Sequence, residues 1–196
     1  MEPLEDWLVA HCGLIVGMDC SAATHRNISL LVRGSVYALP FADSKLDLVT
    51  CNMVVEHLDN PVGAFAEMAR CLSPNGALII NTPNLLNYGV MGNAVASSVM
   101  PEKWRLRLVQ GSDDRKTEDH FPVRYKANTM QRLTRLLNAS GLQVHKAIAL
   151  PQQQPFFRKT KNLDRFLMKL TPISGLLICA HKPRRETQTD VIRPSH

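Results

Sequence analysis

No Gly-x-Gly occurs anywhere in this chain, whose 10 glycines are scattered singly over 196 residues. Closely spaced glycines let a backbone approach a phosphate or a cofactor tail, so the commonest nucleotide-cradling turn is missing. Aromatic residues make up only 6% of the chain and are not interleaved with basic residues in a strand pattern. Together with the lack of any zinc-finger spacing, this argues against a nucleic-acid reader, and no nucleic-acid partner is expected. Five cysteines (Cys12, Cys20, Cys51, Cys71, Cys179) include no CxxC pair. Odd in number and dispersed, they read as reduced thiols, mostly small core residues, rather than a disulfide framework or a zinc site. No apolar run reaches the length of a membrane span, and the opening MEPLEDWL has neither the basic start nor the apolar stretch of a secretion signal. The expected location is the cytoplasm.

What is present suits one domain. A hydrophobic content of 45% with 20% charged residues is ordinary for a globular chain of this length. Residues 1–183 read as the domain, with 85–128 as a variable insertion within it, and 184–196 as a basic, disordered tail. The net charge of +6 comes partly from that tail and partly from residues 103–108 and 157–170. Such clusters suit an acidic ligand or peripheral contact with an anionic membrane surface, and equally a solvated helix face.

Continuous apolar runs at Leu14–Asp19, Ser29–Gly34, Leu46–Cys51 and Ala77–Asn81 suit parallel strands covered on both faces. Between the last two, Asn60 and Pro61 form a helix start, and Phe65, Met68, Ala69 and Leu72 recur at helical spacing until Ser73–Gly76 turns the chain. Residues 85–118 are less regular, with a basic helix candidate at Glu102–Val109. A helix from Thr129 to Asn138 stopped by Gly141, a strand at Leu142–Leu150, an amphipathic segment at Asn162–Leu170 and a strand at Leu176–His181 complete the chain. The last two strands are candidates for an antiparallel edge. Strands alternating with helices imply right-handed crossovers in a doubly wound sheet.

Chemistry in such a sheet lies beyond the carboxyl ends of the strands. There the third run breaks into Thr50, Cys51 and Asn52 and passes into Glu56 and His57, within KLDLVTCNMVVEHLDNP followed by LSPNGALIINTPN. This pattern resembles the class I S-adenosylmethionine-dependent methyltransferases, specifically the small-molecule branch that includes ubiquinone and menaquinone O-methyltransferases. The likeness covers Leu14 to Asn84 well and His120 to Pro183 more loosely. It implies a Rossmann-like, mostly parallel α/β sheet with helices on both faces, an antiparallel edge strand, and S-adenosylmethionine as cofactor. It also implies a small-molecule acceptor, aromatic or lipid-linked.

Carried over residue by residue, the resemblance gives Asp19, with Cys20 beside it, to the cofactor ribose, because a carboxylate can accept from two vicinal hydroxyls at once; capping the next helix is the plainer role for Asp19. Gly34, Ser35 and Val36 fall where the family brackets adenine. Ser35 replaces an acidic residue there, which weakens the expected contact. Asn52 and Met53 fall beside the reactive methyl. His57 is the candidate general base, since its ordinary pKa lies near neutrality, and a turn anchored by its hydrogen bonds is an equal alternative. Met53 stands where some quinone-pathway relatives carry a metal-binding Glu, so no metal is expected. His120 and Tyr125 fall on the acceptor side. The resemblance also implies a first strand with a glycine-rich turn, which this sequence lacks; the given chain is therefore expected to hold the cofactor weakly. Three readings stay open: methyl transfer to a small molecule, a catalytically inactive methyltransferase-like binding module, and a nicotinamide-dependent oxidoreductase.

Overall fold

Four apolar runs become strands where their pattern predicts, and the sheet they form is divided in two. The computed structural model describes residues 10–19, 30–99, 122–152 and 161–184. Strands β1 (Val16–Asp19) and β2 (Leu30–Arg33) pair in parallel as a two-stranded sheet. Strands β3 (Leu46–Asn52), β4 (Leu72–Pro83), β5 (Gln143–Pro151) and β6 (Ile173–His181) form a second sheet in the order β3-β4-β6-β5. β3 and β4 are parallel, whereas β6 runs antiparallel to both β4 and β5.

The last two strands pair antiparallel at the edge of the sheet as expected, with β5, directed like β4, outermost and β6 inside it. Burial explains the order. Leu176, Ile178 and Ala180 of β6 are buried, while β5 is exposed along most of its length, and the more apolar strand takes the doubly paired position. The fold is α/β and Rossmann-like, with parallel β1–β2 and β3–β4 pairs.

Helix α1 (Pro61–Cys71) starts as the sequence predicts, with the Asn60 side chain accepting from Gly63 N at 3.1 Å and Pro61 at its first turn. Its buried stripe, Ala64, Phe65, Met68 and Ala69, packs with Leu78 and Ile80 of β4 and with Leu133 and Leu137 of α3 (Met130–Ala139) in one core. Burying side chains of this size contributes about 1.5–3 kcal/mol each. Strand β4 begins earlier than expected, at Leu72, because the predicted turn is folded into the strand: the ladder slips between the Leu46–Leu72 and Leu48–Ala77 pairs. Gly76 permits this, since a Cβ there would lie 2.9 Å from Ser73 O and 3.0 Å from Leu46 O. Gly141 ends α3 at φ +81°, as its position after the periodic stretch predicts.

Helix α2 (Tyr88–Val99) lies in the stretch that the sequence left irregular. Glycines at 89 and 92 masked its periodicity. Helix α4 (Lys161–Leu170) forms where the amphipathic segment predicts one. Asn87 Nδ2 donates to Thr171 O at 3.1 Å and Tyr88 N to Thr171 Oγ1 at 3.1 Å, tying the start of α2 to the end of α4. The candidate helix Glu102–Val109 and the tail from 185 onward lie outside the described residues.

Candidate functional site

Strands β3, β4 and β5 all point the same way, so their carboxyl ends share one edge of the sheet. At that edge the side chains of Asn52 and Asn81, register partners at the ends of β3 and β4, are joined by Asn81 Nδ2 donating to Asn52 Oδ1 at 2.9 Å. Met53 follows at φ +55° with its side chain half exposed, and its N–H donates to Asn81 O at 2.9 Å. A left-handed conformation is costly for a residue with a Cβ. Here it reverses the chain sharply into the short 3-10 turn Val55–His57.

That turn separates two residues the sequence presents as neighbours. Glu56 is buried, and its Oε2 accepts from Thr82 Oγ1 at 3.0 Å, while Thr82 Oγ1 accepts from Asn128 Nδ2 at 2.7 Å. Asn128 Nδ2 also donates to Pro83 O at 3.1 Å, and Asn128 Oδ1 is buried with no hydrogen-bond partner. The Glu56 backbone carbonyl accepts from Arg124 N at 2.7 Å and from Tyr125 N at 3.0 Å. His57, half-buried, lies 3.2 Å from Pro122 O through Nδ1. A carbonyl can only accept, so Nδ1 carries the hydrogen and the neutral ring has its lone pair on Nε2. The anchoring role weighed for His57 is therefore present. The Glu56 carboxylate instead turns inward, where Thr82 offers a donor.

Thr82, Asn81 and Asn128 were not singled out from the sequence. The available signal was the abrupt change from Ala77–Ile80 to Asn81–Thr82–Pro83–Asn84 at a strand's carboxyl end.

Asp19 ends β1, where its carbonyl accepts from Gly34 N at 3.1 Å, so the predicted ribose residue and the predicted adenine loop are adjacent. Ser35 Oγ accepts from Tyr37 N at 3.3 Å, which fixes the turn Ser35–Ala38. Tyr37 OH in turn accepts from Asp59 N at 2.8 Å and Asn60 N at 3.2 Å, tying this loop to the start of α1. A second tie runs from Glu67, whose Oε1 accepts from Leu39 N at 2.8 Å and from Arg70 at 2.8 Å. The hydrogen bond from Arg70 holds the Glu67 carboxyl below its ordinary pKa. Cys20 and His120 lie outside the described residues, as does the helix Asp19 would cap. Tyr125 is described, half-buried at φ +49°.

Between the two sheets lies a cavity of about 720 Å³ lined by residues 11–16, Met18, Val36, Leu39, Phe41, Lys45, the β3 residues Leu46–Cys51, Val54 and Met68. Cys51 is buried on its wall, and burial pushes its thiol up to about 12. Set against the requirements of S-adenosylmethionine, the fit is partial. Asp19, the Gly34–Val36 loop and Asn52 suit the nucleoside and the reacting end. The charged side chains lining the cavity along β3, Lys45 and Asp47, stand at the start of that strand and away from its carboxyl end, so neither would meet the methionine carboxylate there. No cluster of three His, Cys, Asp or Glu able to hold a metal occurs among the described residues.

Residues 4–80 match the family described as methyltransferase domain. An uncharacterized methyltransferase of Schizosaccharomyces pombe is 39% identical over 54 residues, 28% of this chain and 19% of its own length. A demethylmenaquinone methyltransferase of Corynebacterium efficiens is 31% identical over 103 residues, covering 51% of this chain and 44% of its own length. The chain thus spans less than half the length of these curated relatives. Among solved structures, the complex of the Trm112 methyltransferase activator with a methyltransferase from Haloferax volcanii aligns at TM-score 0.64 with 15% identity, over 97% of this chain and 78% of that one. A SAM-dependent methyltransferase of Thermotoga maritima aligns at TM-score 0.58 with 15% identity, over 90% of this chain and 76% of its own. At such identities the likeness establishes the fold.

Proposed function

Because the chain is, by family model and by fold, a relative of the S-adenosylmethionine-dependent methyltransferases, we propose that it serves methyl transfer to a small, largely apolar acceptor. The observation that supports this best is the set of polar groups at the carboxyl ends of parallel strands: Asp19 at the end of β1, Asn52 and Asn81 at the ends of β3 and β4, and His57, held by Pro122, in the turn after β3. When bound, the cofactor supplies an electrophilic methyl group on its sulfonium.

The chain's own residues position and deprotonate. Asp19 accepts from ribose hydroxyls, and the Gly34–Val36 loop borders the adenine. The Asn52–Asn81 pair fixes the wall beside the reacting methyl. His57, with its hydrogen on Nδ1, takes a proton from the acceptor at Nε2; such a base contributes typically about 10²–10⁴-fold. Tyr125 lies on the acceptor side, beside the turn that carries His57. Leu86 and, in α2, Met91 and Val95 are exposed, as are Leu163, Phe166 and Leu170 of α4, and Thr171 joins the start of α2 to the end of α4. Such side chains suit an apolar acceptor, or one resident in a lipid surface.

A catalytically inactive binding module is the second reading, favoured by the partial fit toward the methionine carboxylate. No observation in the fold or the relatives favours the nicotinamide reading.

Calorimetric titration with S-adenosylmethionine tests the cofactor role, with Asp19→Ala expected to abolish binding. Unchanged affinity in that variant would overturn the ribose assignment. For the base, His57→Asn keeps a donor near the Nδ1 position while removing Nε2. It should leave thermal stability and cofactor affinity in place and lower kcat at least tenfold on any acceptor found. Equal kcat would leave His57 as an anchor alone.

A further inference from the structure

Residues 122–128 form neither helix nor strand, so their path is set by what they touch. At the far end Ala127 and Asn128 are buried. Nearer the start the segment is strapped to the turn after β3: Arg124 N and Tyr125 N donate to Glu56 O at 2.7 and 3.0 Å, Arg124 Nε meets Asp59 Oδ1 at 2.9 Å, and Pro122 O lies 3.2 Å from His57 Nδ1. Within this strap Tyr125 is held at φ +49°, a left-handed conformation that a residue with a Cβ adopts at a cost. Such a conformation persists only while the surrounding contacts enforce it. Asp59 is the fixed side of the contact. Its N–H donates to Tyr37 OH at 2.8 Å, and Asn60, which donates to the same oxygen at 3.2 Å, caps α1. The Asp59 carboxylate is therefore presented to Arg124 from a pinned backbone.

We propose that Asp59 is a positioning residue for His57. Its carboxylate holds Arg124, Arg124 holds the strap against the turn, and the Pro122 carbonyl of that strap keeps the imidazole hydrogen on Nδ1, so that Nε2 is the nitrogen able to take a proton. Lys126 reinforces the strap through a bond from Nζ to Asp59 O at 2.7 Å, which does not need the Asp59 side chain. The consequence for catalysis rests on the reading of His57 as general base, whereas the orientation of the ring follows from the contacts alone. The Arg124 and Asp59 side chains are 45% and 64% exposed, and an ion pair so exposed adds little to the stability of the whole fold. Loss of the Asp59 carboxylate should accordingly be felt at the strap and at His57, and hardly at all in global unfolding.

The test is nitrogen NMR of the full chain with labelled histidine, at about pH 8, where an unperturbed imidazole is neutral, the His57 signals being assigned by their loss in His57→Asn. The shifts of the two ring nitrogens report which one carries the hydrogen. In Asp59→Ala they should move from the Nδ1–H pattern toward that of a free imidazole, and amide exchange at Arg124 and Tyr125 should quicken at least tenfold, while Tm changes by no more than about 4 °C. Arg124→Ala should give the same changes, and the double variant no more than either single one, as for a single shared contact. An unchanged tautomer with unchanged amide exchange in both single variants would overturn the proposal. So would additive effects in the double variant, or a fall in Tm well beyond that range, which would make Asp59 a residue of the fold at large. Because the ring is read without S-adenosylmethionine, the two claims separate: a changed tautomer with unchanged kcat on an acceptor would refute the base role of His57 and leave its positioning by Asp59 in place.

Discussion

Replacing Thr82 by valine removes one hydroxyl and almost no volume, yet that hydroxyl joins three buried groups. Thr82 is 1% exposed, Glu56 2% and Asn128 0%. The hydroxyl donates to Glu56 Oε2 at 3.0 Å and accepts from Asn128 Nδ2 at 2.7 Å. In Thr82→Val the Glu56 carboxylate loses the side-chain donor described for it, and Asn128 Nδ2 keeps only Pro83 O. A buried polar group left without its partner costs about 1–3 kcal/mol, more when charged. Glu56 falls at the upper end and Asn128 at the lower, so the expected loss is about 2–4 kcal/mol. For a chain of this size that is roughly 4–16 °C in Tm. Urea denaturation and scanning calorimetry measure both quantities. The double variant Glu56→Leu with Thr82→Val should cost less than the sum of its single variants, because replacing both partners by apolar groups removes the unsatisfied charge. A cost of Thr82→Val within about 0.5 kcal/mol, the range of an ordinary surface change, would refute the reasoning and mean that water satisfies Glu56.

Three further outcomes are expected. Because burial pushes the Cys51 thiol up to about 12, iodoacetamide at about pH 8.5 should leave Cys51 unmodified in the native chain and label it on unfolding; mass mapping of native-state label at Cys51 would contradict its burial. Glu67 has a folded pKa below its unfolded value, chiefly through the hydrogen bond from Arg70, so its contribution is present above the unfolded pKa and is lost as pH falls through the folded one. Glu67→Gln should therefore show a shallower acid-side loss of stability than the parent chain in melts taken below about pH 4.3, and identical profiles would remove Glu67 from the account. If the apolar residues of α4 meet a lipid surface, Phe166→Glu should reduce co-sedimentation with phosphatidylglycerol–phosphatidylcholine vesicles at least tenfold, with the far-ultraviolet dichroism unchanged; equal co-sedimentation would assign those residues to other contacts.

Local patterns of the chain made much of this architecture readable. Asn60, Pro61 and the Phe65–Met68–Leu72 spacing specify α1 because a cap, a first-turn proline and a helical stripe act within a few residues of one another. Gly141 marks the end of α3 for the same local reason. The interior place of β6 was not readable, because it depends on a pairing with β4 between residues about a hundred positions apart, such as Ile80 and Ile178, and on β5 being the more exposed strand. At the site, Asp19 and Asn52 were legible as polar residues ending apolar runs. Thr82 and Asn128 were not, since a polar residue shows its value only once a buried partner from another element is placed against it. Glu56 shows the converse: it is next to His57 in sequence, and one turn of 3-10 geometry sends the two side chains to different partners.

The order of strands also bears on how quickly the chain finds its shape. β3, α1 and β4 are consecutive, and the β3–β4 ladder closes over the single intervening helix, so this unit can form early from local contacts. The β4–β6 ladder must wait for the whole stretch between Pro83 and Ile173 to be brought round, a closure whose entropy grows with loop length. During that delay the β4 edge, with Leu78 and Ile80 already ordered, stands open to any passing strand. Refolding at rising protein concentration should therefore lose yield at this step first, and pulse-labelling hydrogen exchange should find β3 and β4 protected before β5 and β6.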